Sequence, residues 1–286
     1  LDFSGSNEHA LKVNTWSGSN PLLMDSVSQV LAAPSTVGDT SNASHSRPWA
    51  TVIVFKTDGN NSNQHIWNQG EGAGSGDDNI YLRLSGSGEL IFGWGRDGAL
   101  NECIIDNSLT TTEWVGVYIA SNGTRLSGSN ATASNLASAF DIRISTSGDW
   151  TNISQKSTST NWTNGSTGGR MDRSYTGDFT IGGRGNNRNF HGKVASMVIT
   201  TLRIGVAMPT EAEIELMITD PIKWVDDYKV GNPFREPNSG GDAGYNFVKG
   251  TVNAGRSTMV WLMGDGITDS YANGVRNQLL MDDQNA

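Results

Sequence analysis

Residues 190–200 read Phe-His-Gly-Lys-Val-Ala-Ser-Met-Val-Ile-Thr, and this stretch decides the fold class. Apolar and β-branched residues dominate it, which is typical of a strand. Alternation puts the even-numbered residues 194 to 198 on one face and the odd-numbered residues 195 to 199 on the other. Because both faces carry apolar side chains, we expect a strand inside a sandwich. Gly192, at its start, permits close approach of a neighbouring backbone.

Similar short apolar runs recur along the chain, each closed by Gly, Asn, Asp or Ser. Such punctuation is typical of strands and turns. Two runs flank the turn sequence Ser-Gly-Ser-Gly at 85–88 and predict a hairpin over 80–95. Residues 145–177, rich in Ser, Thr, Asn and Gly, predict a long loop or a polar edge. The other predicted strands are 50–56, 65–68, 114–120, 140–144, 179–183 and 258–263.

One helix is predicted, over residues 209–218. Thr210 is a suitable N-cap, Glu211 and Glu213 lie in the first turn, and apolar residues follow at helical spacing. Pro221 ends the segment. One short helix among about ten strands predicts an all-β sandwich of packed antiparallel sheets, with the helix across an end or an open face.

Composition narrows the classes of function. The 286 residues carry 29 acidic and 20 basic side chains, a net charge of -9. An acidic surface repels phosphate backbones, so we expect no nucleic-acid partner. The single cysteine, Cys103, cannot form an internal disulfide, and no Cys/His cluster predicts zinc. No apolar run reaches the length of a membrane span, and the first residues do not form a signal peptide.

Three patterns resemble concanavalin A-like, laminin G-like domains. The opening Leu-Asp-Phe-Ser-Gly-Ser-Asn-Glu-His at 1–9 resembles the family's first strand, L-x-F-D-G-x-N-D-Y. Residues 179–183 with 190–199 resemble its final strands, F-x-I-G-G and F-x-G-x-I-x-x-V, and 209–217 its short helix. Ser4 departs from the family's usual Asp. The resemblance covers roughly residues 1–225 and implies a jelly-roll β-sandwich.

The remainder, residues 226–286, is predicted to be a C-terminal extension. It begins with a Pro- and Gly-containing stretch and holds one strand-forming run, 258–263. These 61 residues contain too few apolar groups to predict an independent core, so we expect the extension to dock on the sandwich or on another subunit. Residues 261–271 resemble segments beside such domains in structural proteins of marine tailed bacteriophages. We therefore expect an assembly element anchored by Trp261.

Glycoside hydrolases of this fold carry acids alternating on one strand, E-x-D-x-x-E, so that two carboxylates face one cleft. No such strand is found. Glu71, Glu89, Glu102 and Glu113 are predicted to be isolated in loops or at strand ends, so the chain is expected not to be an enzyme. Its four histidines, at 9, 45, 65 and 191, have no Ser or Cys partner pattern.

Carbohydrate binding was the remaining chemistry. Of the nine tryptophans, the candidates for exposure and for stacking on sugar rings are Trp67, Trp94, Trp150 and Trp162. The Asp77-Asp78-Asn79 run follows a Gly-rich segment and offers oxygen ligands, which makes Ca²⁺ the candidate ion, although a solvated turn is the alternative. The predicted carbohydrate-binding residues are Trp67, Asp77, Asp78, Asn79 and Trp94.

Three functions remain open on the sequence. The first is a non-enzymatic virion structural protein, of capsid decoration or fibre type, that contacts host-surface glycans. The second is a carbohydrate-binding lectin module of a secreted protein, and the third a polysaccharide hydrolase of the same fold. The expected partners are other virion proteins, further copies of the chain and host glycans, without nucleic acid or membrane insertion. The expected location is the virion surface, or the extracellular space for the lectin.

Overall fold

A computed structural model shows two antiparallel sheets packed face to face. It describes residues 11–13, 49–58, 63–70, 79–96, 99–109, 113–124, 131–146, 153–164, 179–183, 188, 190–202, 207–221, 223–224 and 256–262. The predicted all-β sandwich is confirmed. No helix in these ranges is long and apolar enough to span a membrane.

The described residues form thirteen strands and two helices. The strands are β1 Leu11–Val13, β2 Trp49–Thr57, β3 Gln64–Gly70, β4 Asn79–Leu84, β5 Leu90–Arg96, β6 Ala99–Asp106, β7 Val115–Ser121, β8 Phe140–Ser145, β9 Ser154–Gln155, β10 Trp162–Asn164, β11 Phe179–Ile181, β12 Gly192–Leu202 and β13 Arg256–Leu262. The helices are α1 Ala133–Ala139 and α2 Glu211–Thr219.

One sheet has seven strands in the order β1-β11-β3-β4-β5-β6-β10, and the other has six in the order β13-β12-β2-β7-β8-β9. The predicted hairpin over 80–95 is the β4-β5 pair. The core between the sheets is rich in aromatic rings. Trp49 of the six-stranded sheet, for example, lies 6.3 Å from Phe92 of the seven-stranded sheet, centroid to centroid. This aromatic core holds the two layers together.

The central strand β12 behaves as predicted with one correction. It lies between β13 and β2 and has buried residues on both faces. The register with β2 shifts between Val194 and Ser196, however, because a β-bulge places one extra residue there. Val194 and Met197 therefore both face the core, while Val198 faces outward, so the simple alternation predicted for this strand is wrong.

Helix α2 covers the outer face of the six-stranded sheet. Thr210 is the N-cap, as the sequence predicts, and it forms with Glu213 a capping box that was not predicted. Ile214 and Met217 pack with Val52 of β2 and Trp224 in a second apolar cluster. The expectation that the helix lies on an open face of the sandwich is thus confirmed. The outer face of the seven-stranded sheet carries neither α1 nor α2.

Several elements were not predicted. Strand β6 has a mixed sequence, Ala-Leu-Asn-Glu-Cys-Ile-Ile-Asp, and α1 is only seven residues long. For 145–177 the sequence predicts a long loop or a polar edge, and the structure places the short edge strands β9 and β10 there, the latter with the buried Trp162. Short elements such as these carry little periodic signal, and their pairing partners stabilise them.

Candidate functional site

On the outer face of the seven-stranded sheet, two neighbouring outward positions of β5 have no side chain. Alternation sends Phe92 and Trp94 of β5 into the core and turns Gly93 and Gly95 outward. The strands beside β5 place four residues directly opposite these glycines. We call this group of positions the β5 trough; it comprises Gly93 and Gly95, with Asn79 and Tyr81 beside them on β4 and Leu100 and Glu102 beside them on β6.

Tyr81 and Glu102 join across Gly93. The Tyr81 hydroxyl donates a hydrogen bond of 2.6 Å to Glu102 Oε1. A Cβ at Gly93 would lie 2.8 Å from the carbonyl oxygen of Asn101, 2.9 Å from Glu102 Cγ and 3.0 Å from the Tyr81 hydroxyl. Such distances are too short for carbon, so only glycine at this position lets the two side chains meet.

Arg83 completes the cluster. Its Nε and Nη2 atoms donate to Glu102 Oε1 at 3.3 and 2.9 Å, and its Nη1 atom donates to Asn63 Oδ1 at 3.0 Å. The guanidinium carbon also lies 5.7 Å from the centroid of the Tyr81 ring. The side chains of Arg83 and Glu102 are 17% and 18% exposed, so this ion pair is largely withdrawn from solvent. Such pairs are geometrically specific because each partner has few alternatives.

The electrostatics of the cluster favour the arrangement seen. Burial, followed by the charge and hydrogen bond of Glu102, raises the pKa of Tyr81 well above its ordinary value, so its hydroxyl stays protonated and donates. Burial opposes the charge of Arg83, yet Glu102 and Tyr81 together raise the pKa of the guanidinium. The cluster therefore holds a fixed positive charge against the Glu102 carboxylate.

Leu100 gives the trough an apolar side. It is 39% exposed and is the one exposed large hydrophobic side chain among the residues that the structure describes. Beyond Glu102, Thr163 of β10 is exposed, and its hydroxyl donates to the carbonyl oxygen of Glu102 at 3.2 Å. An apolar side chain beside a carboxylate suits a sugar ring, which has a C–H face and hydroxyl edges.

The predicted stacking tryptophans lie elsewhere. Trp67 and Trp94 are fully buried in the core, and Trp162 is 5% exposed, so the prediction that these three are exposed is wrong. Trp94, Trp162 and Phe140 form a cluster with centroid distances of 5.2 to 5.7 Å. Burying these large rings between the sheets stabilises the sandwich more than exposing them would. Tyr81 is also buried, against His65 at 5.4 Å, and its ring offers no open face.

The remaining predicted residues divide into two groups. Asp77, Asp78 and Trp150 lie outside the described residues. Asn79 begins β4, opposite Gly95, and so belongs to the trough. No group of three or more potential metal ligands occurs in the described part of the chain, and the Ca²⁺ expectation, which rests on 77–79, stays a prediction.

The strand that contains Trp261 pairs with its own sandwich. In β13, Trp261 lies opposite Met197 of β12, and seven residue pairs link the two strands. Docking on the sandwich was one of the two alternatives for the extension, and the structure shows it for residues 256–262. The boundary at 225/226 and the anchoring role of Trp261 in assembly stay predictions.

The spacing between carboxylates indicates whether the described residues form a glycosidase-like pair. Glu102 lies in the middle of β6 and faces outward, so the prediction that it is at a strand end or in a loop is wrong. The other acidic residue of β6 is Asp106, four residues and about 13 Å along the strand, beyond the register shift between Leu90 and Ile91 of β5. The two carboxyl groups of a glycosidase are about 5 to 9.5 Å apart. A further pair is Asp141 of β8 and Glu211 of α2, to which Arg143 binds at 2.9 and 2.7 Å, respectively.

A sequence signal for the trough exists but is short. The stretch Gly93-Trp94-Gly95 alternates a large core residue with glycines, which on a strand leaves the opposite face bare. The sequence alone could not show that Glu102 and Tyr81 lie beside these glycines, because their proximity depends on the pairing of β4, β5 and β6.

No protein-family model matches this sequence, and no curated protein matches it. Solved structures do match at low identity. Domain 4 of AbnA, a GH43 extracellular arabinanase from Geobacillus stearothermophilus, in complex with arabinotriose, is 11% identical with a TM-score of 0.37. Domains LG4-5 of the mouse laminin alpha1 chain are 10% identical with a TM-score of 0.32. The enzymatically active domain of tailspike protein 2 of bacteriophage CBA120 is 12% identical with a TM-score of 0.34.

The matches cover 59%, 56% and 62% of this chain, respectively, and 65%, 37% and 25% of the three matched chains. At these identities the likeness concerns the fold alone.

Proposed function

We propose that this chain is a non-enzymatic, glycan-binding β-sandwich protein of a virion surface, and that the β5 trough holds the sugar. The observation that carries the proposal is Leu100, which is exposed on β6 beside Glu102 and opposite Gly95, a position that has no side chain. At Gly95 a sugar ring can approach the backbone, with Leu100 against its C–H face and Glu102 accepting from its hydroxyls, whereas Gly93 lies under the Tyr81–Glu102 hydrogen bond. Asn79 stands at the same trough.

Binding to immobilised polysaccharides, followed by calorimetry on the best ligand, tests the trough. Leu100→Asp places a second negative charge beside Glu102 and removes the apolar contact, so we expect affinity to fall at least tenfold. The matched control is Leu216→Asp, at a half-buried position of α2 beside the other sheet, which should leave affinity unchanged if the fold is retained. Equal losses in both variants, or none in either, would reject the trough as the site.

The non-enzymatic part of the proposal has its own test. Each polysaccharide that binds is incubated with the protein, and reducing ends are counted. We expect none to be released, because Glu102 is held by Arg83 and Tyr81 and has no second carboxylate at hydrolytic spacing on β6. Release that disappears in Glu102→Gln would show a hydrolase.

The virion setting is supported by the resemblance of residues 261–271 to segments in structural proteins of tailed bacteriophages. The alternative to a virion protein is that this chain is a lectin module of a secreted protein, in which the same trough binds the glycan. Antibody labelling of purified phage particles separates the two, since a decoration or fibre protein labels intact particles, whereas a secreted lectin appears only in the culture medium.

A further inference from the structure

The charges of the β5 trough bear on which glycans it accepts. Arg83 is the one cation in the described cluster around Glu102, and its Nε and Nη2 atoms are committed to that carboxylate. Its third hydrogen bond goes to Asn63. A carboxylate or sulfate on a sugar would have to displace Glu102 from this partly buried pair, which leaves Glu102 an uncompensated charge.

Glu102 itself keeps an unused acceptor. All three side-chain donors, the Tyr81 hydroxyl and two Arg83 nitrogens, bond to Oε1. Within the described part of the chain, no group donates to Oε2. A carboxylate accepts about four hydrogen bonds, so Oε2 has room for two donors. Hydroxyl pairs on a neutral sugar are such donors, and anionic substituents are not.

The groups near Glu102 and the net charge of the chain also disfavour anionic glycans. Leu100 lies on the same outward face of β6 and is apolar and exposed. The Thr163 hydroxyl already donates its proton to the backbone carbonyl oxygen of Glu102. The whole chain carries a net charge of -9, which repels polyanions at a distance. Neither the local nor the overall charge attracts an acidic glycan.

We infer that the β5 trough selects neutral glycans over anionic ones, with Glu102 as the residue that sets this specificity through Oε2, the oxygen to which no described residue donates. The inference rests on the proposed function of the trough as a glycan site. Glu102 accepts from sugar hydroxyls, and the Arg83–Glu102 pair denies a cation to carboxylated or sulfated sugars.

The test compares polysaccharides that share a backbone and differ in charge. Suitable pairs are dextran with dextran sulfate and methyl-esterified with de-esterified polygalacturonate, both at physiological ionic strength. We expect the wild-type protein to bind the neutral member of at least one pair at least tenfold more tightly. Glu102→Gln removes the acceptor charge and releases Arg83, so its preference should shift at least tenfold toward the anionic member.

Two controls separate local from general effects. Glu215→Gln makes the same change of charge on the exposed side of α2, beside the other sheet, and should keep the wild-type preference. Arg83→Met removes the cation but leaves Glu102, so neutral binding should stay within about threefold even if Glu102→Gln does not fold. Loss of neutral binding in Arg83→Met would show that the arginine is the ligand and would overturn the inference.

The remaining outcomes are also decisive. A wild-type preference for the anionic members, or equal behaviour of Glu102→Gln and Glu215→Gln, overturns the neutral specificity while leaving glycan binding intact. Absence of binding to every member of every pair overturns the proposed function itself, and the specificity with it.

Discussion

Cys103 shows how burial controls a single residue. It is fully buried on the core face of β6, and its Sγ atom contacts the carbonyl oxygen of Lys156 at 3.7 Å. Burial in apolar surroundings raises the pKa of the Cys103 thiol to about 12. At neutral pH the native protein therefore holds a protonated thiol, which is a poor nucleophile.

The raised pKa of Cys103 predicts that the free energy of unfolding depends on pH. The native thiol keeps its proton to higher pH than the unfolded thiol, whose pKa is about 8.5. The protonated Cys103 thiol therefore makes its full contribution to the free energy of unfolding below about pH 8.5. This contribution is lost as pH rises toward 12, by up to about 1.4 kcal/mol per pH unit. Urea unfolding between neutral pH and pH 10 measures the loss, and Cys103→Ala should flatten it.

Thiol reactivity checks the same prediction independently. An aromatic disulfide reagent should modify Cys103 in denaturant but only at the rate of unfolding in native buffer. Rapid native modification at pH 8, as for an exposed thiol, would contradict the burial of the side chain.

At the scale of elements, the pairing of β2 with β12 depends on one glycine. Gly192 has φ +152°, and a Cβ there would overlap the carbonyl oxygen of Lys56 and lie 2.8 Å from Phe190 Cζ and 2.9 Å from Thr57 Cα. The start of β12 can approach β2 this closely only without a side chain. The sequence had predicted such an approach at Gly192, and it is confirmed.

Gly192→Ala is therefore expected to destabilise the sandwich by about 2 kcal/mol or more, through backbone strain and loss of pairing at this end of two central strands. Urea denaturation gives the change in free energy of unfolding. The matched control is Gly86→Ala, an exposed hairpin glycine whose φ is not positive, which should change stability by less than about 0.5 kcal/mol. Similar values for the two variants would argue against the close approach.

At the scale of the whole molecule, β13 completes the six-stranded sheet. It pairs with β12 from Ser196 to Leu202, although the two strands are far apart in sequence. A chain ending at residue 225 lacks this strand and leaves the β12 edge without its partner. Unpaired edges of this kind favour association with other chains.

We expect the chain ending at residue 225 to fold with a lower Tm than the full chain, since each lost kcal/mol lowers Tm by about 2–4 °C at this size. Differential scanning calorimetry and sedimentation measure stability and oligomeric state together. If the Tm is unchanged and an oligomer becomes a monomer, the extension acts in assembly, and Trp261→Ala should then weaken that assembly by about 2 kcal/mol or more.

The sequence by itself determined the class of the fold and most of its strands, because alternation and turn residues are local signals. The strand at 192–200, the hairpin over 80–95 and the helix at 209–218 needed only neighbouring residues to be recognised. The same local reasoning failed for Trp67 and Trp94, because composition does not say which face of a strand a tryptophan occupies. It missed β6 because that strand's signal is mixed.

Only the tertiary structure decided the candidate site. Tyr81 and Glu102 are 21 residues apart, and their hydrogen bond exists because β4, β5 and β6 pair in one register across Gly93. The bulge in β12 and the assignment of β13 to that strand are likewise products of pairing. A one-residue shift of register would send every one of these side chains to the opposite face, and register is set by contacts between distant strands, which no local pattern contains.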